Sequence, residues 1–293
     1  MASADEKQVV EEEQRQARIL LWTTGLGVAA TFAGLILQSS GIDPNADNDA
    51  ERLLDRADHF GTILGGAIVS GIGYVLLTGT VLFLYGAAER RSDRVQSAFK
   101  PLIIIGAVLL ALTGVITAIA YNGVANDFVD SGMTTGDAAA DHASDLISDS
   151  SLLQIGAFAG IAGLAAFSFG VIYSSLWGMR TGLLTRFWGT LGMAFGAAFL
   201  LTFALQTPIG FFGVLFWLVH VAMVSNGRWM GGPLPAWEQG KAVPWPDPGA
   251  PPPEPEPEEA ADPEDFEGTA TDVTPSRPGR RDNKRKRKRK QRG

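Results

Sequence analysis

Residues 187–227 read FWGTLGMAFGAAFLLTFALQTPIGFFGVLFWLVHVAMVSNG, 41 residues without Asp, Glu, Lys or Arg. A helix needs about 20 apolar residues to cross the hydrocarbon core of a bilayer, so the run is too long for one crossing. Pro208 lies near its middle, in LQTPIG. Proline lacks a backbone donor and disfavours helical geometry in the residue before it, here Thr207. The run therefore reads as two helices, 187–206 and 209–227, joined by a tight turn.

Outward from that stretch, four further charge-free runs cover 19–37, 61–88, 101–121 and 152–179. Each fits one crossing, predicting helices at 19–38, 61–88, 101–121 and 152–179. A soluble bundle would need polar faces that these runs lack. The expected fold is all-α: a six-transmembrane-helix polytopic bundle over 19–227, between an acidic segment 1–18 and a Trp-containing juxtamembrane segment 228–246. The leader MASADEKQVVEEEQRQAR is long and acidic, unlike the short basic opening of a signal peptide, so the first helix is expected to be retained. The chain has no cysteine, which excludes disulfides, thiolate catalysis and Cys metal sites.

Cytoplasmic loops carry an excess of Lys and Arg. The gap after the second helix holds Arg90, Arg91, Arg94 and Lys100, and the gap after the fourth holds Arg180 and Arg186. The first gap sets Arg52 and Arg56 against six acids, the third has no Lys or Arg, and neither does the fifth, around Pro208. The alternation assigns the second and fourth gaps to the cytoplasm. Arg15 and Arg18 before the first helix and Arg228 after the sixth place both termini there too. An even helix count requires the termini to share a side, so the two arguments agree. The expected location is the cell (plasma or inner) membrane.

Three stretches stand out together: FLYGAAERR at the end of the second helix, MRTGLLTRFWGTLGMAFG leading into the fifth, and GRWMGGPLPAWEQGKAVPWP after the sixth. The combination, over about 19–246, resembles a family of uncharacterised bacterial multi-pass membrane proteins with no assigned activity. The resemblance implies a multi-pass bundle and carries over no functional residues.

Within the predicted helices, small residues recur at the spacing that lets backbones approach. Candidate packing positions are Gly61 and Gly65, Gly156 and Gly160, and Gly192 and Gly196, within one chain or between the chains of a homo-oligomer. Glycine is also simply common in membrane helices. An ionisable residue inside the membrane is a functional hypothesis by default, and His220 in FWLVHVAM is the only one here. A neutral imidazole bonded to a neighbouring Ser, Thr or carbonyl outweighs a proton or metal role. Ser168 on the fourth helix and His220 on the sixth invite comparison with rhomboid-type intramembrane proteases. The comparison fails because AFSFG lacks the glycine two residues before the serine, and the two residues lie at different depths. No catalytic motif, cofactor or metal site is read, so the protein is expected to be non-enzymatic.

Outside the membrane, Asp43, Asn45, Asp47 and Asp49 alternate like the start of a calcium loop, but Asn48 and Leu54 stand where a glycine and a bidentate Glu are needed. Asn48 with Glu51 better fits an N-cap and capping box for a helix through Leu53 and Leu54. Asp137, Asp141, Asp145 and Asp149 are four apart and share one helical face, with Thr135 as a cap. They read as a solvated face rather than a cation stripe.

Past 228 the composition changes. Trp229, Trp237 and Trp245 favour the interface, so this segment lies along the headgroups or caps the bundle. Residues 247–276 are acidic and rich in Pro and Glu, a composition that cannot bury a core and predicts a disordered linker. Residues 277–293 then hold eleven Lys and Arg against one Asp, a charge of +10 in a chain of net −7, leaving −17 for residues 1–276. Lys284, Arg285, Lys286, Arg287, Lys288, Arg289 and Lys290 form the candidate anionic-surface site. Anionic lipid headgroups of the protein's own bilayer are the first partner, since each basic residue contributes about 1 kcal/mol at such a surface. RNA or the ribosome is second, through phosphate contacts. A solvated end that only enforces topology is the plain alternative. With no aromatic residue in 277–293, neither base stacking nor sequence-specific nucleic-acid binding is expected.

The function expected is therefore a scaffold or organiser in the membrane with a polybasic cytoplasmic tail. The alternative is a small-molecule transporter or channel, favoured by the glycine-rich helices and by Thr78, Thr80, Gln154 and Ser174. The absence of intramembrane charge and of short broken helices weighs against it.

Overall fold

The computed structural model describes residues 4–40, 42–44, 46, 48–133, 136–205, 207–228 and 232–245. The chain separates into two units, Met1–Pro246 and Asp247–Gly293, and every described residue belongs to the first. The described residues form helices and loops with no strand among them: α1 (Ala4–Ser39), α2 (Asp49–Asp58), α3 (Phe60–Glu89), α4 (Phe99–Asp130), α5 (Asp137–Asp149), α6 (Ser151–Arg180), α7 (Arg186–Leu205), α8 (Ile209–Ser225) and the short α9 (Pro235–Gln239).

Four stretches are long and apolar enough to cross a membrane: Lys7–Ser39, Phe60–Glu89, Phe99–Asp130 and Ser151–Arg180. Their outward faces are apolar, with Trp22 76% exposed and Phe158 72% exposed. Apolar belts of that kind mark contact with lipid or a partner rather than water. The chain is a multi-pass membrane protein. α7 is 20 residues long and α8 17 residues, or about 30 and 25 Å.

The six long helices run antiparallel in chain order. Arg90 meets Glu13, the Thr24 and Thr80 hydroxyls lie 2.7 Å apart, and Gln38 donates to Ser70 at 3.2 Å, so α3 descends against a rising α1. The Trp217 indole donates to the Trp188 carbonyl at 3.1 Å, which sets α8 against α7. The Asn226 amide donates to the Ala17 carbonyl at 2.6 Å, which closes α8 back onto α1. α3 lies at the centre. Half of its apolar stretch is buried, against 22–39% for the other three spans. It packs on α1, α4, α6 and α8. Around it lies the main core, with Leu77, Val81, Leu84, Trp217 and Leu218.

The α1–α3 crossing is close. A Cβ built on Gly66 would fall 2.7 Å from the Gly34 carbonyl oxygen, closer than real Cβ contacts come. The backbones therefore touch there, as small residues permit in lipid.

Two boundaries differ from the sequence expectation by more than two residues. α1 begins at Ala4, so the acidic leader continues the first helix instead of preceding it. α4 extends to Asp130, well past 121. The reason is packing: Val124, Ala125 and Phe128 are buried against Ala50 and Leu53 of α2 and Ala139 and Ala143 of α5. α2 and α5 thus cap the end of the bundle that carries 40–60 and 121–151. That end holds eleven acids from Asp43 to Asp149 against Arg52 and Arg56, if Asp47 is left aside. The opposite end gathers 90–100, 180–186 and 226–245, and is arginine-rich. Trp229, Asn45, Asp47, Thr135, the linker 247–276 and the basic run 284–290 lie outside the described residues.

Candidate functional site: the arginine-rich end

Arg91 sits just past the last turn of α3, where helix carbonyls run out of intrahelical donors. Its side chain is fully buried and uses all five of its N–H groups. Nη1 donates to Glu13 Oε1 at 2.7 Å and to the Ala87 carbonyl at 2.9 Å. Nη2 donates to Glu13 Oε2 at 2.7 Å and to the Ala236 carbonyl at 3.0 Å, and Nε reaches the same carbonyl at 3.3 Å. Arg90, 41% exposed, adds two bonds to Glu13 Oε1 at 2.8 and 3.1 Å. The Glu13 carboxylate is 3% exposed and accepts from both guanidiniums. Charge-assisted bonds of this kind are among the stronger ones, so the arrangement is structural. One knot thereby ties α1, α3 and the segment after α8.

Residues 232–245 fold across the same end as a strap. Pro235 opens α9 and Gly240 ends it in left-handed geometry, φ 69°. The Trp237 ring stacks on Phe83 with centroids 5.6 Å apart, and its indole donates to the Leu183 carbonyl at 2.9 Å. The Trp245 indole donates to the Leu184 carbonyl at 2.9 Å, Val243 N–H to the Thr181 carbonyl at 3.1 Å, and Arg186 to the Trp245 carbonyl at 3.3 Å. The turn 181–185 exposes carbonyls that no helix satisfies, and the strap supplies their donors. Gly182 has φ 79°, and a side chain there would run into the Val243 carbonyl. The three stretches that carry the sequence resemblance thus meet at one end. Of the two expectations for the Trp segment, capping the bundle is the arrangement observed for Trp237 and Trp245.

Beside the knot lies a cleft of about 290 Å³ among Glu13, Arg18, Asn226, Pro233, Trp237 and Glu238. From sequence, Glu13 belongs to the acidic segment 1–18, and Arg90 and Arg91 count only as positive charges of a cytoplasmic gap. The available signal was periodic. Glu13, Ala17, Leu20, Thr24, Gly27, Thr31 and Gly34 alternate steps of four and three, and all are buried. The stripe runs from the leader into the apolar run, as a helix with one packed face does.

The remaining candidates are placed as follows. His220 is 1% exposed and lies parallel to the Trp188 ring, 3.6 Å between centroids. Ser168 is level with Gly196 and therefore with residue 212 of α8. At 1.5 Å per residue that is roughly 12 Å along the axis from His220, so the pair does not meet. Gly156 and Gly160 pack against Thr117 and Thr113 of α4, Gly192 against Ser175 and the Trp217 indole, and Gly196 against Ile172 and Val171. A Cβ added at Gly61 or Gly65 would meet nothing within 4 Å among the described residues. The close face of α3 is the neighbouring one, through Gly66, Ser70 and Gly73.

At the opposite end Asn48 caps α2 by accepting from Glu51 N–H at 3.0 Å, and its amide reaches Glu51 Oε1 at 3.4 Å. Asp137, Asp141, Asp145 and Asp149 are all exposed on α5. Among the described residues no three carboxylate or imidazole groups converge as a metal site. Arg56 lies over the Tyr121 ring, 3.9 Å from its centroid. Burial pulls its pKa below the ordinary arginine value, Tyr121 opposes that, and Arg52 adds to it. Searches of family models, curated proteins and solved structures find no match for this chain.

Proposed function

We propose that the chain is a non-enzymatic organiser in the cell membrane, with six crossings and both termini in the cytoplasm. Its polybasic end, Lys284 to Lys290, engages anionic lipid of the same bilayer, with RNA or the ribosome as the competing polyanion. α7 and α8 supply the fifth and sixth crossings, 30 and 25 Å of helix against a core of about 30 Å. The observation that carries this reading is the strap. Trp245 is held to Leu184 and Arg186, which fastens the strap to the arginine-rich end. Positive residues mark the cytoplasmic side, and Glu13 of α1 meets the strap's anchor there, as two termini sharing a side require. A transporter or channel would need a polar path along the axis. The backbone contact of α1 with α3 and the apolar core around Leu84 and Trp217 lend that alternative no support.

The test compares the purified full chain with a chain ending at Ser276, captured on phosphatidylglycerol vesicles at low and high salt. The full chain is expected to bind at low salt and release at high salt, and the shortened one to bind at neither. Equal capture of both overturns the lipid reading. Salt-sensitive loss of co-purifying RNA on truncation, without loss of vesicle capture, transfers the role to RNA.

A further inference from the structure

The periphery of the bundle carries a side-opening groove of about 580 Å³ between α4, α6 and α7, a volume typical of small-ligand sites. Its floor is where Gly156 and Gly160 of α6 face Thr117 and Thr113 of α4; a Cβ on Gly160 would come 3.0 Å from the Thr113 methyl. Two of its threonine hydroxyls are bonded within their own helices, Thr113 to the Leu109 carbonyl at 2.8 Å and Thr202 to the Ala198 carbonyl at 3.2 Å, and the Thr113 methyl faces Gly160, while Thr117 turns its hydroxyl to Gly156. Ala157 and Ile161 form an exposed rim. The groove runs from Leu110 to Tyr121, eleven residues or about 16 Å. Half of a hydrocarbon core about 30 Å thick is nearly the same length. A helix from a second copy would need the full thickness, whereas one acyl chain needs only its own leaflet.

The polar groups are at one end of the groove. Tyr121, Ser148 and Gln154 stand at the acidic end, and the Gln154 amide donates to the Ser148 carbonyl at 3.1 Å. Over Tyr121 stands Arg56. Arg52 and Arg56 are the two cations in 38–60 and 122–151, and Arg52 pairs with Asp49 at 3.6 Å. A half-buried cation over a residue that lines an apolar slot, in an otherwise acidic region, suits a phosphate attached to a hydrocarbon tail.

We infer that this groove holds one phospholipid of the leaflet at the acidic end, its acyl chain along Gly156 and Gly160 and its phosphate at Arg56 and Tyr121. The inference rests on the membrane placement of the bundle, not on its orientation or its tail, so it stands or falls apart from the tail reading. Native mass spectrometry of the full chain in detergent tests it. Phosphatidylglycerol, phosphatidylcholine and free glycerol phosphate are added in turn. One phosphatidylglycerol per chain is expected to survive release from the micelle, and glycerol phosphate is not. Ala157→Phe and, separately, Ile161→Trp fill the groove from its exposed rim and should weaken retention at least about tenfold. Arg56→Gln should erase the preference for phosphatidylglycerol over phosphatidylcholine while retaining both. Independently of any variant, a phosphatidylglycerol with six-carbon chains should compete at least about tenfold less well than one with full-length chains. No retention by the unaltered chain, retention unchanged in folded rim variants, or equal competition by the short-chain lipid overturns the inference.

Discussion

At the arginine-rich end one charged pair is inside: the Arg91 and Glu13 side chains are buried against each other and the strap is fastened to them, while Arg94, Lys100 and Arg180 stay exposed. At the acidic end the charges are outside. Asp137, Asp141, Asp145 and Asp149 face solvent, while Ala139, Ala143 and Leu53 hold the cap by apolar contact. Loop charge alone gives both ends a topological role. Only burial separates charges that also hold the fold from charges that merely face water.

The largest effect expected on that contrast comes from Arg91→Met. It leaves the Glu13 carboxylate buried beside the half-exposed Arg90, and breaking a buried pair costs about 3–5 kcal/mol. Unfolding titrations in mixed micelles would measure it. Combining it with Glu13→Leu should recover most of the loss, since no charge is then stranded. Next is Trp237→Phe, which retains a ring against Phe83 but strands the Leu183 carbonyl. A loss of about 1–3 kcal/mol is expected, with faster hydrogen exchange at Val243 N–H as the strap loosens. At the other end Asn48→Ala removes the α2 cap at about 1 kcal/mol, and faster exchange should be confined to the Glu51 region. Smallest is Arg52→Gln. It removes an exposed pair with Asp49 and should change stability by less than about 0.5 kcal/mol. If Arg52→Gln costs as much as Arg91→Met, the contrast between the ends is wrong.

Much of the bundle is legible from charge-free runs because lipid demands long apolar helices, and Pro208 alone divides α7 from α8. Asn48 and Glu51 were legible because a capping box is local. The knot was not, because it joins residues 13, 91 and 236, and no local pattern reports so distant a contact. The extension of α4 was missed for the same reason: Phe128 is helical where it is held by Leu53 and Ala143. The role of Trp237 lay between. Its indole N–H must find an acceptor when buried, but that the acceptor is Leu183 follows only from the fold.

The central claim of the proposed function is that residues near 13, 91, 183 and 236 lie at the cytoplasmic face of the membrane and α5 at the outer face. The chain has no cysteine, so single substitutions give a clean readout. Ser3→Cys, Ser97→Cys, Ser144→Cys and Ser276→Cys would be treated with a membrane-impermeant maleimide in intact cells and after permeabilisation. The account predicts that Ser144→Cys labels in intact cells and the other three only after permeabilisation. Labelling of Ser3→Cys, Ser97→Cys or Ser276→Cys in intact cells, or of Ser144→Cys only after permeabilisation, would contradict it.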